Sequence, residues 1–237
     1  GSAPEWTPDG SRVVFSRRRG EAREFVARAP DRSRPDSVLV TEKFDGRSGG
    51  TPVLGMPHGF AALAETQVTD ARPVRGVYLM HMDSMARYRP FATGSSQNHS
   101  PAISADGRLL AWVSDESGSN QIYIQPIPGP GARLQVSVTG GTEPVWSRTG
   151  NTLHFRGTTS IMSAEISGSP LRVASRDSLF ADPFVRVRTV GRNWDVFPGG
   201  KEFLMLRTPA GQAGDAFIVV NWPQLRAARG GAGAPER

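Results

Sequence analysis

Four histidines, His58, His81, His99 and His154, are the side chains of this chain best suited to metal binding or to proton transfer near neutral pH. None stands in the His-Glu-x-x-His spacing that places two imidazoles on one helix face, or in any other close metal-ligand spacing. His154 occupies a strand slot where other copies of the repeat described below carry Val14 or Leu110, so it reads as a packed or rim histidine. His58 falls in a turn slot and stands as a candidate ligand or partner contact. A second candidate group is cationic. Arg186, Arg188 and Arg192 lie in an arginine-rich stretch from Ala181 to Asn193, where they could contact an anion. No Gly-x-Ser-x-Gly elbow is present, and no Ser-His-Asp order stands out. Gly129-Pro130-Gly131 lacks the Lys-Ser/Thr partner of a phosphate loop. The adjacent carboxylates Asp115 and Glu116 do not make an acid/base pair, which needs opposed groups roughly 5–9 Å apart. No catalytic, cofactor-binding or metal-binding residue is assigned. No cofactor is expected, and the chain taken alone reads as a non-enzyme.

Composition narrows the setting. The 237 residues hold 28 basic and 22 acidic side chains, for a net charge of +6 and a pI near 10.6. A basic balance invites a nucleic-acid or membrane-surface reading. Only Lys43 and Lys201 are lysine, however, and the arginines are scattered apart from Arg17-Arg18-Arg19. That skew is what a GC-rich genome produces, and it speaks against nucleic acid as the partner. There is no cysteine, so neither a disulfide framework nor a thiolate metal site can form. No run of 18 apolar residues exists to span a bilayer as a helix. The first residues lack the basic and apolar regions of a signal peptide. Any export or anchoring segment is therefore expected upstream of this chain.

The candidate residues must be positioned by short strands. With 27 glycines and 19 prolines the chain leaves little room for long helices. One pattern recurs. Pro4-Glu5-Trp6-Thr7-Pro8-Asp9-Gly10 precedes Val13-Val14-Phe15. Pro101-Ala102-Ile103-Ser104-Ala105-Asp106-Gly107 precedes Leu109-Leu110-Ala111-Trp112. Pro144-Val145-Trp146-Ser147-Arg148-Thr149-Gly150 precedes Leu153-His154-Phe155. Degenerate copies begin at Pro52-Val53-Leu54 and at Trp194-Asp195-Val196. Trp6, Leu54, Ile103, Trp146 and Val196 are thus equivalent, 43 to 50 residues apart. Asp9-Gly10 and Asp106-Gly107 supply tight turns, because Gly accepts positive φ and Asp bonds the nearby backbone. Repetition at one slot marks these aspartates as structural.

Each copy continues with a branched or aromatic strand, a polar loop such as Asp115 to Asn120, an alternating strand such as Gln121-Ile122-Tyr123-Ile124-Gln125, and a closing strand such as Leu134 to Ser137. Four short antiparallel strands every 45 residues or so make a β-propeller blade. The expected fold is all-β: about five blades, spanning 3–46, 47–97, 98–141, 142–182 and 183–224, with a disordered Gly/Ala/Arg-rich tail at 225–237. The recurrent Trp or aliphatic residue is expected at the seams between blades. In that fold the stretch carrying Arg186, Arg188 and Arg192 passes near the mouth of the central channel.

The Pro-x-Trp-Ser-Pro-Asp-Gly-like motif, followed by an aliphatic strand and an Ile-Tyr strand, resembles the TolB-type, WD-like propeller repeat from about Pro4 to Trp222. Three further stretches, Trp112 to Gly118, Ile122 to Gly131 and Gly141 to Ser147, resemble the propeller C-terminal to bacterial membrane-anchored serine/threonine kinases. So does the ending Phe217-Ile218-Val219-Val220-Asn221-Trp222. The resemblance implies six blades, an extracytoplasmic or periplasmic location, and a sensory or protein-binding role, with a protein or small ligand as partner. The chain shows five repeats and begins directly at a first-strand motif, so it reads as a fragment of a six-bladed ring. The kinase motifs are absent, and no kinase activity is carried over. The alternatives are a regulatory domain of a kinase whose catalytic domain lies upstream, and a propeller-type hydrolase or lyase. In a bacterial protein the sequon Asn98-His99-Ser100 carries no weight.

Overall fold

A single antiparallel sheet hides one face at most, so short amphipathic strands repeated along a chain are stable only when the sheets stack. The structure, a computed structural model, describes residues 2–7, 10–43, 48–49, 53–55, 60–68, 73–81, 88–129, 131–186, 192–207 and 215–219. Among them there is no helix; the chain runs through five antiparallel sheets in sequence order. Sheet 1 holds β1 (Ser2–Trp6), β2 (Val13–Arg19), β3 (Ala22–Arg28) and β4 (Ser37–Lys43). Sheet 2 holds β5 (Ser48–Gly49), β6 (Val53–Gly55), β7 (Phe60–Val68), β8 (Pro73–His81) and β9 (Tyr88–Ala92). Sheet 3 holds β10 (Asn98–Ile103), β11 (Leu109–Ser114), β12 (Gln121–Pro126) and β13 (Leu134–Gln135). Sheet 4 holds β14 (Thr142–Trp146), β15 (Thr152–Arg156), β16 (Ser160–Ser167) and β17 (Arg172–Ala181). Sheet 5 holds β18 (Asp195–Val196), β19 (Phe203–Arg207) and β20 (Asp215–Val219). The expectation of four strands per blade needs two adjustments. In sheet 2 the first strand is broken into β5 and β6, both paired to β7, and sheet 5 shows three strands among the described residues.

The turn after each first strand is the same device four times. Its backbone bonds run from Thr7 N to Arg12 O, Ser104 N to Leu109 O, Ser147 N to Thr152 O and Phe197 N to Glu202 O, all 2.8–2.9 Å. Gly10, Gly107, Gly150 and Gly200 sit in these turns with φ between 67° and 73°, which side chains with a Cβ rarely adopt. Asp106 accepts from Ser104 Oγ (2.6 Å) and from the Arg108 N–H (3.1 Å), both within its own turn. Asp9 lies outside the described residues. The first strands share a bulge as well, between Ser2 and Glu5, His99 and Ala102, and Thr142 and Val145. Ser100 and Glu143, each before a proline, take φ 51° there.

Strand alternation stacks the sheets. Ile103, Leu110 and Trp112 pack back on Val77 and Leu79 of sheet 2. Ala102, Ala111 and Val113 face forward to Trp146, Leu153 and Phe155 of sheet 4. Val145 faces forward to Val196, Phe203 and Met205 of sheet 5. Trp146 is 7% exposed, and its indole N–H donates to Ala102 O across the seam (3.1 Å). Trp6 departs from the expected seam position: it ends β1 in register with Val13 but is 51% exposed. The slot points back toward a preceding sheet, and among the described residues none lies against it. Asn98 is buried and accepts from the Trp112 indole N–H (3.2 Å), which removes the sequon as a modification site.

The two tryptophans therefore differ in weight. Trp146→Ala should cost about 3–5 kcal/mol, the usual range for emptying a buried aromatic site. Trp6→Ala should cost about 1 kcal/mol or less. Urea unfolding of both variants measures the difference; equal losses would contradict the stacking direction described.

Candidate functional site

Sheet 4 breaks the apolar pattern at one slot. Where sheet 3 carries Val113 and sheet 5 carries Leu206, β15 carries Arg156, and it faces sheet 5. Its side chain is fully buried. A lone buried guanidinium would be costly, so the surroundings supply opposite charge. Arg156 Nε lies 3.6 Å from Glu143 of β14, and Nη1 lies 3.7 Å from Asp182, just past β17. Arg156 Nη1 also donates to Val185 O (2.8 Å). Arg186 completes the cluster: its Nη2 stands 2.7 Å from Asp182 Oδ2 and donates to Gly157 O (2.7 Å). Asn193 Nδ2 donates to Val185 O (2.8 Å). The segment leading from sheet 4 into sheet 5 is thereby tied to the inner end of sheet 4.

Burial works against these charges. It pushes the Glu143 carboxyl above its ordinary range, an effect that Arg156 and a backbone bond from Asn193 oppose. It pushes Arg156 down, opposed by Glu143 and Asp182. Arg156 Nε and Nη2, Asn193 Oδ1, Trp194 Nε1 and both ring nitrogens of His154 have no hydrogen-bond partner among the described residues. Buried polar groups of this kind are ordinarily met by water or by a bound polar group. His154 packs edge-on against Phe203 (5.4 Å), and burial holds its pKa at about 4.

A second cluster joins sheet 1 to the approach of sheet 5. Arg192 Nη2 lies 3.5 Å from Glu5 of β1 and 3.7 Å from Asp195 of β18. Burial raises the Glu5 carboxyl, with Arg192 and Arg148 pulling it down and Asp195 pushing it up. Inner strands β6, β10, β14 and β18 neighbour one another in chain order, and β1 neighbours β6. The Glu5–Arg192 pair then links the first inner strand to the last.

Of the four contacts expected from sequence, the structure places two. Arg186 and Arg192 do lie near the inner ends of the sheets, but each is engaged by carboxylates of the fold. Arg188 and His58 lie outside the described residues, as does the tail 225–237. Sequence reasoning missed Glu5, Glu143, Arg156 and Asp182. One signal was readable: a charged residue at the slot of Val113 requires a partner. Among the described residues, no three His, Asp or Glu side chains converge as a metal site.

Two outcomes follow from these environments. Arg156→Met leaves the buried Glu143 without its ion-pair partner and Asp182 with Arg186 alone, and should cost about 3–5 kcal/mol in denaturant unfolding, with Glu143→Gln added to it restoring part of the loss. The folded-state pKa of His154 lies below the unfolded value of 6.5, so its contribution to stability is complete above pH 6.5 and is lost as pH falls toward 4. The loss is on the order of 3 kcal/mol. His99, lowered to about 4 chiefly by burial, acts in the same direction. The raised carboxyls of Glu5 and Glu143 act oppositely, because the folded state holds their protons more tightly. Stability measured from pH 7 to 4 should flatten in His154→Phe; an unchanged slope would contradict the buried neutral imidazole.

No family model matches the sequence, and no curated protein matches it. Solved structures do match. TolB from Acinetobacter baumannii aligns with a TM-score of 0.64 at 16% identity, over 92% of this chain and 51% of that one. A putative TolB from Agrobacterium tumefaciens aligns at 0.53 and 14% identity, over 93% and 77%. An oligogalacturonate lyase in complex with manganese aligns at 0.64 and 12% identity, over 93% and 65%. The chain thus spans about half the length of the Acinetobacter protein and about two thirds of the lyase. At these identities the likeness is one of fold, and it agrees with the five stacked sheets: the chain has the fold of a TolB-type β-propeller, present in part.

Proposed function

We propose that this chain is a non-catalytic recognition module, a propeller that presents loops and the inner ends of its sheets to a protein or small ligand. One observation carries the reading. The ionisable groups gathered at the inner ends are paired with each other, Glu5 and Asp195 with Arg192, and Glu143 and Asp182 with Arg156 and Arg186. A guanidinium held by a carboxylate is a weak anchor for substrate, and each of these carboxylates already has a guanidinium of the fold within 3.7 Å. These clusters serve the framework and leave the outer loops for binding. An extracytoplasmic, sensory placement belongs to the same proposal and is supported by the resemblance of Trp112 to Gly118 and Gly141 to Ser147 to propellers attached to bacterial kinases.

The competing reading is a lyase or hydrolase, since one structural neighbour is an oligogalacturonate lyase. Incubating the chain with oligogalacturonate and with proline-containing peptides, followed by ultraviolet absorbance and mass spectrometry, separates the two. No turnover above a heat-denatured control is expected. Turnover that vanishes in Glu143→Gln would overturn the proposal.

A further inference from the structure

The net charge is not evenly spread. Residues 10–43, which form most of sheet 1, carry nine basic and five acidic side chains, a surplus of +4 against +6 for the whole chain. Pairing concentrates that surplus further. Arg17 binds Glu24 (2.8 Å) and Asp36 (3.3 Å), Arg28 binds Asp36 (2.8 Å), and Arg19 approaches Glu24 (3.7 Å). Glu24 and Asp36 are thereby occupied. Arg12, Arg32 and Arg34 make no ion pair with a carboxylate among the described residues. All three belong to the end of the sheet where the β1–β2 turn meets the β3–β4 loop.

A cleft of about 370 Å³ opens at that end, lined by Ser11, Arg12, Ala29, Pro30, Asp31, Ser33 and Arg34. Two guanidiniums come from different segments, Arg12 from the turn and Arg34 from the loop. Arg12 is fixed by Nη1, which donates to Ser37 Oγ (2.6 Å), and among the described residues its Nε and Nη2 have no hydrogen-bond partner. Asp31 is the acid of the cleft. One of its oxygens accepts from the Ser33 N–H (3.0 Å), so it shapes the loop; its charge also attracts Arg34, without an ion pair between them. Ala29 is buried and, with Pro30, gives an apolar wall.

We propose that this cleft binds a small tetrahedral oxyanion of the phosphate type, with Arg12 and Arg34 as its anchors. Two planar guanidinium forks from different segments suit an anion with several acceptor oxygens. Charge attraction at an exposed site weakens with salt, so binding is strongest at low ionic strength. The anion can be free phosphate or the phosphoryl group of a small ester, and the two differ in whether the Ala29–Pro30 wall is used.

Isothermal titration of the chain with inorganic phosphate and with phenyl phosphate, at low salt, tests the site. Saturable one-to-one binding is expected for at least one of them. Tighter binding of phenyl phosphate assigns the ester, and tighter inorganic phosphate assigns the free ion. R12Q/R34Q should weaken binding about tenfold or more. The control R18Q/R19Q removes the same charge at the far end of β2 and should leave binding within about twofold. Ser11→Glu, which places a carboxylate at the exposed rim, provides a second test should R12Q/R34Q fail to fold, and it should also weaken binding about tenfold. Absence of saturable binding, or equal losses in R12Q/R34Q and R18Q/R19Q, overturns the proposal.

Discussion

The fold rests on one constraint: each four-stranded sheet has two faces and can bury them only against its neighbours. Alternation along the first strand meets the constraint. At position Trp146 the side chain points back to sheet 3, and at Val145 it points forward to sheet 5. The same division holds at Ile103 and Ala102. Shifting one strand by a residue would exchange the two sets and empty both seams at once. The repeated turn, with its glycine near φ 70°, and the repeated bulge before it hold that register. Turn chemistry thus decides which face each large apolar side chain occupies.

One seam is built differently. Between sheets 2 and 3, and between 3 and 4, the contacts are aliphatic and aromatic. Between sheets 4 and 5 the aromatic cluster around Phe203 gives way to Arg156, Glu143 and Asp182. Apolar replacement of such a cluster is often neutral or stabilising, because desolvation offsets most of the Coulomb attraction. The directions of the Glu143 and Arg156 shifts agree, since burial outweighs the opposite charge for each. What the cluster adds is geometric. Guanidinium, carboxylates and the Val185 carbonyl fix where the chain leaves sheet 4, in a way that packed aliphatics would not.

The framework was readable in the sequence because it is written in repeated, local chemistry. Asp106-Gly107 and its relatives give the turns, Leu109 to Ser114 and Gln121 to Gln125 show strand residues without breakers, and the spacing of Trp6, Ile103 and Trp146 gives the repeat. Burial of Trp6 was not readable, since it depends on what stands beside sheet 1 and not on the residue. The charge clusters were equally hidden. Arg156 and Asp182 are 26 residues apart and Glu5 and Arg192 are 187 apart. Only the stacking of sheets brings them together. Runs of arginine drew attention to Arg186 and Arg192, yet the fold had already engaged both.

That engagement bears on where recognition can occur. A cation contributes to binding when its charge is not already balanced, and Coulomb attraction at protein surfaces falls off within about 10 Å at 0.1 M salt. The arginines at the inner ends face carboxylates at 2.7–3.7 Å and are balanced by that measure. Arg12 and Arg34 face no carboxylate at such range among the described residues, and they sit on loops that the sheet holds from both sides. The two kinds of arginine have the same chemistry and different neighbours. In this propeller the paired ones position the blades, and the unpaired ones are where an anion would be attracted.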